Sequence, residues 1–433
     1  MPYKVVIIGA GFAGLSAAKE LSKYDEFNVV LIDRNNYHTF FPLLYQVAAA
    51  ELESEEITSP LRGLMRRNRR CSVMMCDVKD IDCTSKILHT DGPDVRYDYL
   101  VLAMGSTTNY FGTPGAEQFA FPLKSLDDAV QLRSRILSCF EEASLYSDVH
   151  PTVYPNVSDD DKDDRFGKLT NIIIVGGGAN GVEFAGALME LVRTSICKDF
   201  PEFNKGTVKI TLLEAAPNLL SGFPAPLAQY TKERLEKMGV NVRLNAAVAE
   251  ITPNGVILKD GTFLPSATVV WTAGVKSAPL AAATGFASGR AGRINVLPTL
   301  QVPEQPEIFV AGDLSLPEQA GKVPPLNIPP MVAPNAIQQG ILTAKNLRRL
   351  VQKQKLLPFA YHDKGSMAVV GRGAAAVRVG KRTFTGSFAW LMWLAVHLTY
   401  LVGFRNRLMV MFNWAWGYFF AERSVRLIFR RWK

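Results

Sequence analysis

The chain has 433 residues, which predicts two or three cores, and its 48% hydrophobic and 20% charged composition excludes a mostly disordered protein. The net charge of +8 is concentrated: residues 360–433 hold twelve Lys or Arg against two acids, plus five of the six Trp, so the remainder is slightly acidic. Five Cys, an odd number with no C-x-x-C pair, argue against a disulfide framework and against zinc, and no metal site is expected.

The N-terminus runs straight from Lys4 into the apolar Val5-Val6-Ile7-Ile8, which leaves no room for a cleaved leader and predicts a cytoplasmic protein. That strand meets Gly9-Ala10-Gly11-Phe12-Ala13-Gly14, a helical stretch over 15–23 and a second strand ending at Asp33. The spacing fits a phosphate-binding turn. Gly9 permits the tight bend, Gly11 lets backbone approach a pyrophosphate, Gly14 lets the helix pack on the strand, and Asp33 reaches the adenosine ribose. Cys71 and Cys76 have C-x4-C spacing but flank a predicted strand, which places them on opposite faces as plain thiols. A further strand ends in small residues at Gly105, and the acidic run within 150–165 reads as a solvated loop.

The first pattern then repeats. A strand over 171–175 enters Gly176-Gly177-Gly178-Ala179-Asn180-Gly181, followed by a helix over about 182–195 and a strand ending at Glu214. One such glycine motif is weak evidence; two, each in strand, turn, helix, strand and acid order, are strong. A carboxylate at Glu214 repels a 2′-phosphate, and Ala215-Ala216-Pro217-Asn218 holds no cation to offset it, so NADH is expected over NADPH. Another strand ends at Gly274, and a last one ends in Ala311-Gly312-Asp313. Beyond a Pro-rich stretch a helix is expected to open near Asn335.

The C-terminus differs in kind. Residues 388–404 are seventeen uncharged positions, at the lower bound for crossing a membrane, and 408–421 are fourteen, which is too short. Arg405 and Arg407 lie between the runs, so two interfacial segments are more economical than a crossing. The last twelve residues read as a basic amphipathic helix, with Arg423, Arg426 and Arg430 opposite Val425, Ile428, Phe429 and Trp432. A membrane surface is the expected partner, and nucleic acid is not, because basic stripes that bind it are interleaved with polar residues. A homodimer would use the same apolar face and stays open.

In this order the elements resemble the flavoproteins with two dinucleotide-binding domains, in which FAD occupies the first Rossmann unit and NAD(P)H the second. Within them the chain is similar to the type II NADH dehydrogenases, on Asn36-Tyr37-His38-Thr39-Phe40-Phe41-Pro42-Leu43-Leu44-Tyr45-Gln46-Val47-Ala48, on Gly178-Ala179-Asn180-Gly181-Val182-Glu183-Phe184 and on residues 330–340. The resemblance implies an α/β fold. An FAD-binding domain would cover 1–112 and 290–355, an NADH-binding domain 113–289, and a membrane-attachment region 356–433. It implies FAD as cofactor, held through Gly9, Gly11, Gly14, Asp33, Gly105 and Asp313, and NADH as co-substrate, held through Gly176, Gly178, Gly181 and Glu214. Hydride would pass from NADH to FAD and two electrons to a quinone, without proton pumping, on the cytoplasmic side of a membrane.

Two residues carry catalytic expectations by the same resemblance. Glu183 would relay protons or order the nicotinamide, and Gln338 would meet a quinone or flavin carbonyl beside the positive N-terminus of the helix at Asn335. One departure stands out: the family's Ala-Gln pair ahead of that glutamine reads Ala333-Pro334 here, which removes one amide from the quinone site. Rival functions are reduction of a soluble electron carrier, sulfide:quinone oxidoreduction, which needs reactive thiols, and a membrane-docked NADH sensor.

Overall fold

The computed structural model describes residues 1–146, 159–203, 206–318, 328–420, 422–423 and 425–429. They form two compact units: Met1–Thr39, Ser59–Thr107 and Val275–Lys364 in one, Phe40–Thr58, Thr108–Gly274 and Gly365–Lys433 in the other.

The first unit is a six-stranded sheet. Strands Gln305–Val310, Tyr99–Leu102, Tyr3–Ile8, Phe27–Asp33 and Cys71–Met75 run parallel in that order, with the short Gln301–Val302 antiparallel at one edge. Val5, Val6, Ile7, Leu31, Leu100 and Val101 are fully buried, as expected of a parallel sheet covered on both faces. Helix Phe12–Leu21 packs against helix Ala333–Val351 so tightly that a Cβ on Gly340 would overlap the Ala13 carbonyl oxygen.

The second unit has five parallel strands in the order Ala120–Pro122, Thr268–Trp271, Asn171–Val175, Lys209–Leu213, Asn241–Arg243. Helix Ala179–Leu191 follows the second glycine motif, four residues short of the expected end, where a π-helical turn, Val192–Ile196, takes over. The segment Phe40–Thr58 belongs here, and its helix Leu44–Ala48 packs on helices Leu126–Leu145 and Ala179–Leu191. Residues 365–433 are likewise part of this unit. A three-stranded antiparallel sheet, Ser366–Val369, Ala375–Val379 and Arg382–Thr385, leads into helices Gly386–Tyr400 and Phe404–Phe420.

Two local expectations are corrected. The acidic run is helical from Asp159 to Thr170, with its acids at the N-terminal end, where the helix dipole favours them, and with a Lys168–Asp164 pair at 2.9 Å; residues 147–158 lie outside the described residues. The described residues between 422 and 429 are not helical. There Arg423 and Arg426 pair with acids of the same unit, so neither adds to an exposed basic face; Arg430 and Trp432 lie outside the described residues.

Candidate functional site

The two glycine motifs fold into superimposable logic. Gly9 (φ +98°) and Gly176 (φ +111°) adopt a backbone that other residues rarely take, each closing a strand against a neighbouring one. A Cβ on Gly14 would overlap the Gly9 carbonyl oxygen, and one on Gly181 the Gly176 carbonyl oxygen, so both helices sit hard against their turns. Gly11 and Gly178, by contrast, have no heavy atom within 4 Å of an added Cβ, and each is a helix N-cap without a side-chain cap hydrogen bond. No side chain caps either helix start, which suits an outside acceptor such as a pyrophosphate.

The acids match as closely. Ala10 N–H donates to Asp33 Oδ2 at 2.7 Å and Asn35 N–H to Oδ1 at 2.8 Å; Gly177 N–H donates to Glu214 Oε2 at 2.6 Å and Ala216 N–H to Oε1 at 2.8 Å. Burial raises the Asp33 carboxyl, while those backbone donors hold it down. His38 pegs the first loop: its Nδ1–H donates to the Ala10 carbonyl at 2.8 Å, and its ring lies edge-on to Phe12.

In the first unit Gly105 (φ +70°) is open to an added Cβ, and Ser106 Oγ donates to Asp313 Oδ2 at 2.5 Å. Gly312 N–H donates to Gln339 Oε1 at 2.7 Å, so the fully buried Gln339 of helix Ala333–Val351 fixes the Ala-Gly-Asp turn. Ser106 and Gln339 were missed in the sequence. The only signals were adjacency to Gly105 and to Gln338, and neither tells a clamp from an ordinary polar residue. Pro334 sits in the first turn of that helix, where a missing N–H costs nothing. Gln338 is half-exposed, and its amide is paired both ways with the His362 backbone: Nε2 donates to His362 O at 3.0 Å and Oε1 accepts from His362 N at 2.9 Å.

Glu183 lies in the second unit, on the buried side of helix Ala179–Leu191. Val369 N–H donates to its Oε1 at 3.2 Å, and the Trp393 indole lies close by, short of full hydrogen-bond geometry. Burial pushes the carboxyl up to about 8. The same burial, with Glu183, Glu51 and Glu190 nearby, drives the Tyr45 hydroxyl well up. Tyr45 Oη accepts from Gln46 Nε2 at 3.0 Å, and Gln46 Oε1 accepts from Trp414 Nε1 at 2.9 Å.

Because the folded-state value of Glu183 lies above its usual 4.5, its carboxyl adds stability that is complete below pH 4.5 and is lost as the pH rises through about 8. Glu183→Gln should thus match the native protein in urea unfolding at pH 5 and exceed it at pH 9, by about 5 kcal/mol. Parallel pH profiles would show that Glu183 ionises freely.

The thiols do not form a reactive pair. None of the five cysteines is in a disulfide, and burial pushes Cys71 up to about 12 and raises Cys76, Cys83 and Cys139 as well, the reverse of what a nucleophilic thiol needs.

Residues 3–340 match the family model of the pyridine nucleotide-disulphide oxidoreductases, which is the class the twin glycine turns define. Residues 363–423 match the NDH2 C-terminal domain. The chain is 37% identical to the type II NADH:quinone oxidoreductase Ndh of Mycobacterium tuberculosis, over 98% of this chain and 89% of that one. It is 29% identical to the type II NADH:quinone oxidoreductase of Staphylococcus haemolyticus, over 90% and 92%. It therefore belongs to the type II NADH:quinone oxidoreductases. Its fold follows that of NDH2 from Plasmodium falciparum, solved in complex with NADH, with a TM-score of 0.87 at 19% identity, covering 98% of this chain and 100% of that one.

Proposed function

We propose that this chain oxidises NADH and reduces a quinone at a membrane surface without pumping protons, using FAD bound to the first unit and NADH bound to the second. The observation that carries the reading is the pair of uncapped, glycine-cleared helix N-termini, each beside an acid that accepts two backbone N–H bonds. The residues present fit the cofactor: Gly11 and Gly105 leave open backbone, and the Ser106–Asp313 pair and the Gln339-held turn present polar groups beside it. Held there, FAD would supply the two-electron chemistry that links the nicotinamide to the quinone.

The protein's own share is positioning and proton control. The helix N-termini would hold the two pyrophosphates, Asp33 and Glu214 would address the two riboses, and helix Ala333–Val351 would offer its positive end to the flavin. Glu183, pushed up to about 8, keeps a proton at neutral pH in a site otherwise walled by Tyr45 and Trp393. Gln338 is retained as the amide nearest the helix start, with its present partner the His362 backbone.

Membrane attachment rests on an inside-out helix. In Phe404–Phe420 three polar side chains reach the body: Asn406 Nδ2 donates to Thr58 O at 2.6 Å, Asn413 to Glu56 and Trp414 to Gln46, while Arg405 and Arg407 are exposed. Most of the large apolar groups face out: Phe404, Met409, Met411, Phe412, Trp416, Phe419 and Phe420 are exposed, as are Phe388 and Leu391 of the preceding helix, whereas Val410 is buried. Arg407 caps the preceding helix end by donating to the Leu401 and Thr399 carbonyls, and no helix among the described residues is long and apolar enough to cross a membrane. Such a surface suits a monotopic seat in the lipid interface, on the cytoplasmic side; a second copy of the chain is the rival occupant.

The test is steady-state turnover with NADH or NADPH against a panel of quinones, alongside flotation with lipid vesicles. Quinone reduction by NADH is expected, with NADPH weaker by about 100-fold because a 2′-phosphate would face the Glu214 carboxylate. Flavin reduction without reoxidation by any quinone would overturn the reading.

A further inference from the structure

Arg407, Arg423 and Arg426 are bonded within the second unit, but a second basic run, in the first unit, is not. Residues 61–70 hold five arginines and no acid. Strand Thr58–Pro60 passes straight into the short helix Leu61–Met65, where Leu61 and Met65 are buried and Leu64 packs on the same core. Those apolar side chains fix which way the segment faces, and Arg62, Arg66, Arg67 and Arg69 are left exposed. The turn that follows is pinned as well: Asn68 Nδ2 donates to Ser22 Oγ at 2.6 Å, and the Cys71 N–H donates to the Asn68 carbonyl at 2.9 Å. Arg70 pairs with Asp25 at 2.7 Å, whereas the other four make no ion pair or side-chain hydrogen bond among the described residues. Guanidinium groups crowded in this way repel one another, and an anionic surface relieves that repulsion.

We propose that Arg62, Arg66, Arg67 and Arg69 form a docking surface for the headgroups of anionic phospholipids. The inference rests on the membrane seat proposed above and deepens it by naming the lipid class. The Thr58 carbonyl, at the head of the strand that leads into the run, accepts from Asn406 in the first turn of helix Phe404–Phe420. Four residues of backbone span at most about 14 Å, so the chain tethers Arg62 within that distance of the Thr58 backbone. The helix that holds Thr58 is the one whose large apolar side chains are mostly exposed, and a bilayer is the partner that offers hydrocarbon and phosphate together. A guanidinium meets a phosphate with two parallel N–H bonds and stays charged at every working pH, which suits this half of the contact. The apolar helix then supplies affinity for any bilayer, and the arginines add a preference for negative ones that salt screens.

The experiment is co-sedimentation of the flavin-loaded full chain with vesicles of phosphatidylcholine, alone or with about a third phosphatidylglycerol. The native protein should bind the anionic vesicles at least about 100-fold more tightly at low salt, and high salt should remove most of that difference. Arg66→Gln combined with Arg67→Gln should lose about 30-fold on the anionic vesicles, because each cation near such a surface is worth about fivefold, and nothing on phosphatidylcholine. Arg66→Lys with Arg67→Lys should keep the preference, and so should Lys79→Gln with Arg96→Gln, which makes the same change of charge elsewhere in the first unit. All of these side chains are exposed, so NADH oxidation by a soluble acceptor should be unchanged in every variant. Equal affinity of the native protein for the two vesicles would overturn this inference and leave the apolar seat standing. So would a full anionic preference in the Gln pair, or an equal loss in the Lys79 and Arg96 pair. Binding to neither vesicle would overturn the membrane reading and this inference together. An oligonucleotide bound more tightly than the anionic vesicles, and lost in the Gln pair, would overturn it in favour of nucleic acid.

Discussion

Gly181→Val is expected to give a protein that stays yellow yet is not bleached by NADH, whereas Gly14→Val should be isolated without flavin. Each glycine touches the carbonyl oxygen of the first glycine in its own turn, and Gly181 also faces Thr272 Oγ1, so the new side chain meets backbone that cannot swing away. Overpacking of this kind moves the helix start away from the place a pyrophosphate would take, and a misplacement near 1 Å already costs about 100-fold. The two sites lie in separate compact units, so each lesion should stay with its own cofactor. Stopped-flow flavin reduction and bound-flavin absorbance read the outcome. Normal bleaching of Gly181→Val, or loss of flavin from it, would break the assignment of the second turn to NADH.

Arg423→Ala is expected to destabilise the second unit by about 3 kcal/mol at pH 8, one of the largest effects open to a residue outside the cofactor turns. Its guanidinium is buried, donates to the Ala49 carbonyl at 2.7 Å, and lies 3.2 Å from Glu190 and 3.5 Å from Glu51. Truncation leaves two acids facing each other with no cation. Burial raises the Glu51 carboxyl and Arg423 holds it down, so without the arginine that carboxyl shifts further up. The penalty should be complete at pH 8 and shrink as the pH falls and Glu51 takes up a proton. Urea unfolding at pH 8 and pH 5 checks this. Equal losses at both values would mean that Arg423 acts by packing and not by charge.

The same residue shows where reading the chain in order stops working. The concentration of cations near the C-terminus is real, but Arg423, Arg426 and Arg407 are committed to Glu51 and Glu190, to Asp199 and to the Leu401 carbonyl. What faces outward there is the apolar side of Phe404–Phe420, a feature that a helical wheel shows without saying which side is in. The acidic run within 150–165 misled for a related reason: its composition suits a loop, yet Lys168 and the helix dipole favour the helix found from Asp159 onward. Glu183 could be named from its place after the glycine motif. Its proton could not, because that depends on burial in the folded unit, partly offset by Val369 and Trp393, some two hundred residues later in the chain.

By itself the sequence determined the twin dinucleotide turns, their acids and the α/β class, because these are local matters: which residue tolerates φ near +100°, which position has no room for a Cβ, and which strand is apolar on both faces. Only the tertiary structure decided where Arg407, Arg423 and Arg426 go, which face of the last described helix is outside, and that Gln338 is paired with His362. Most of those outcomes turn on contacts between residues tens to hundreds of positions apart, and composition cannot show whether a charge meets water, lipid or a buried partner.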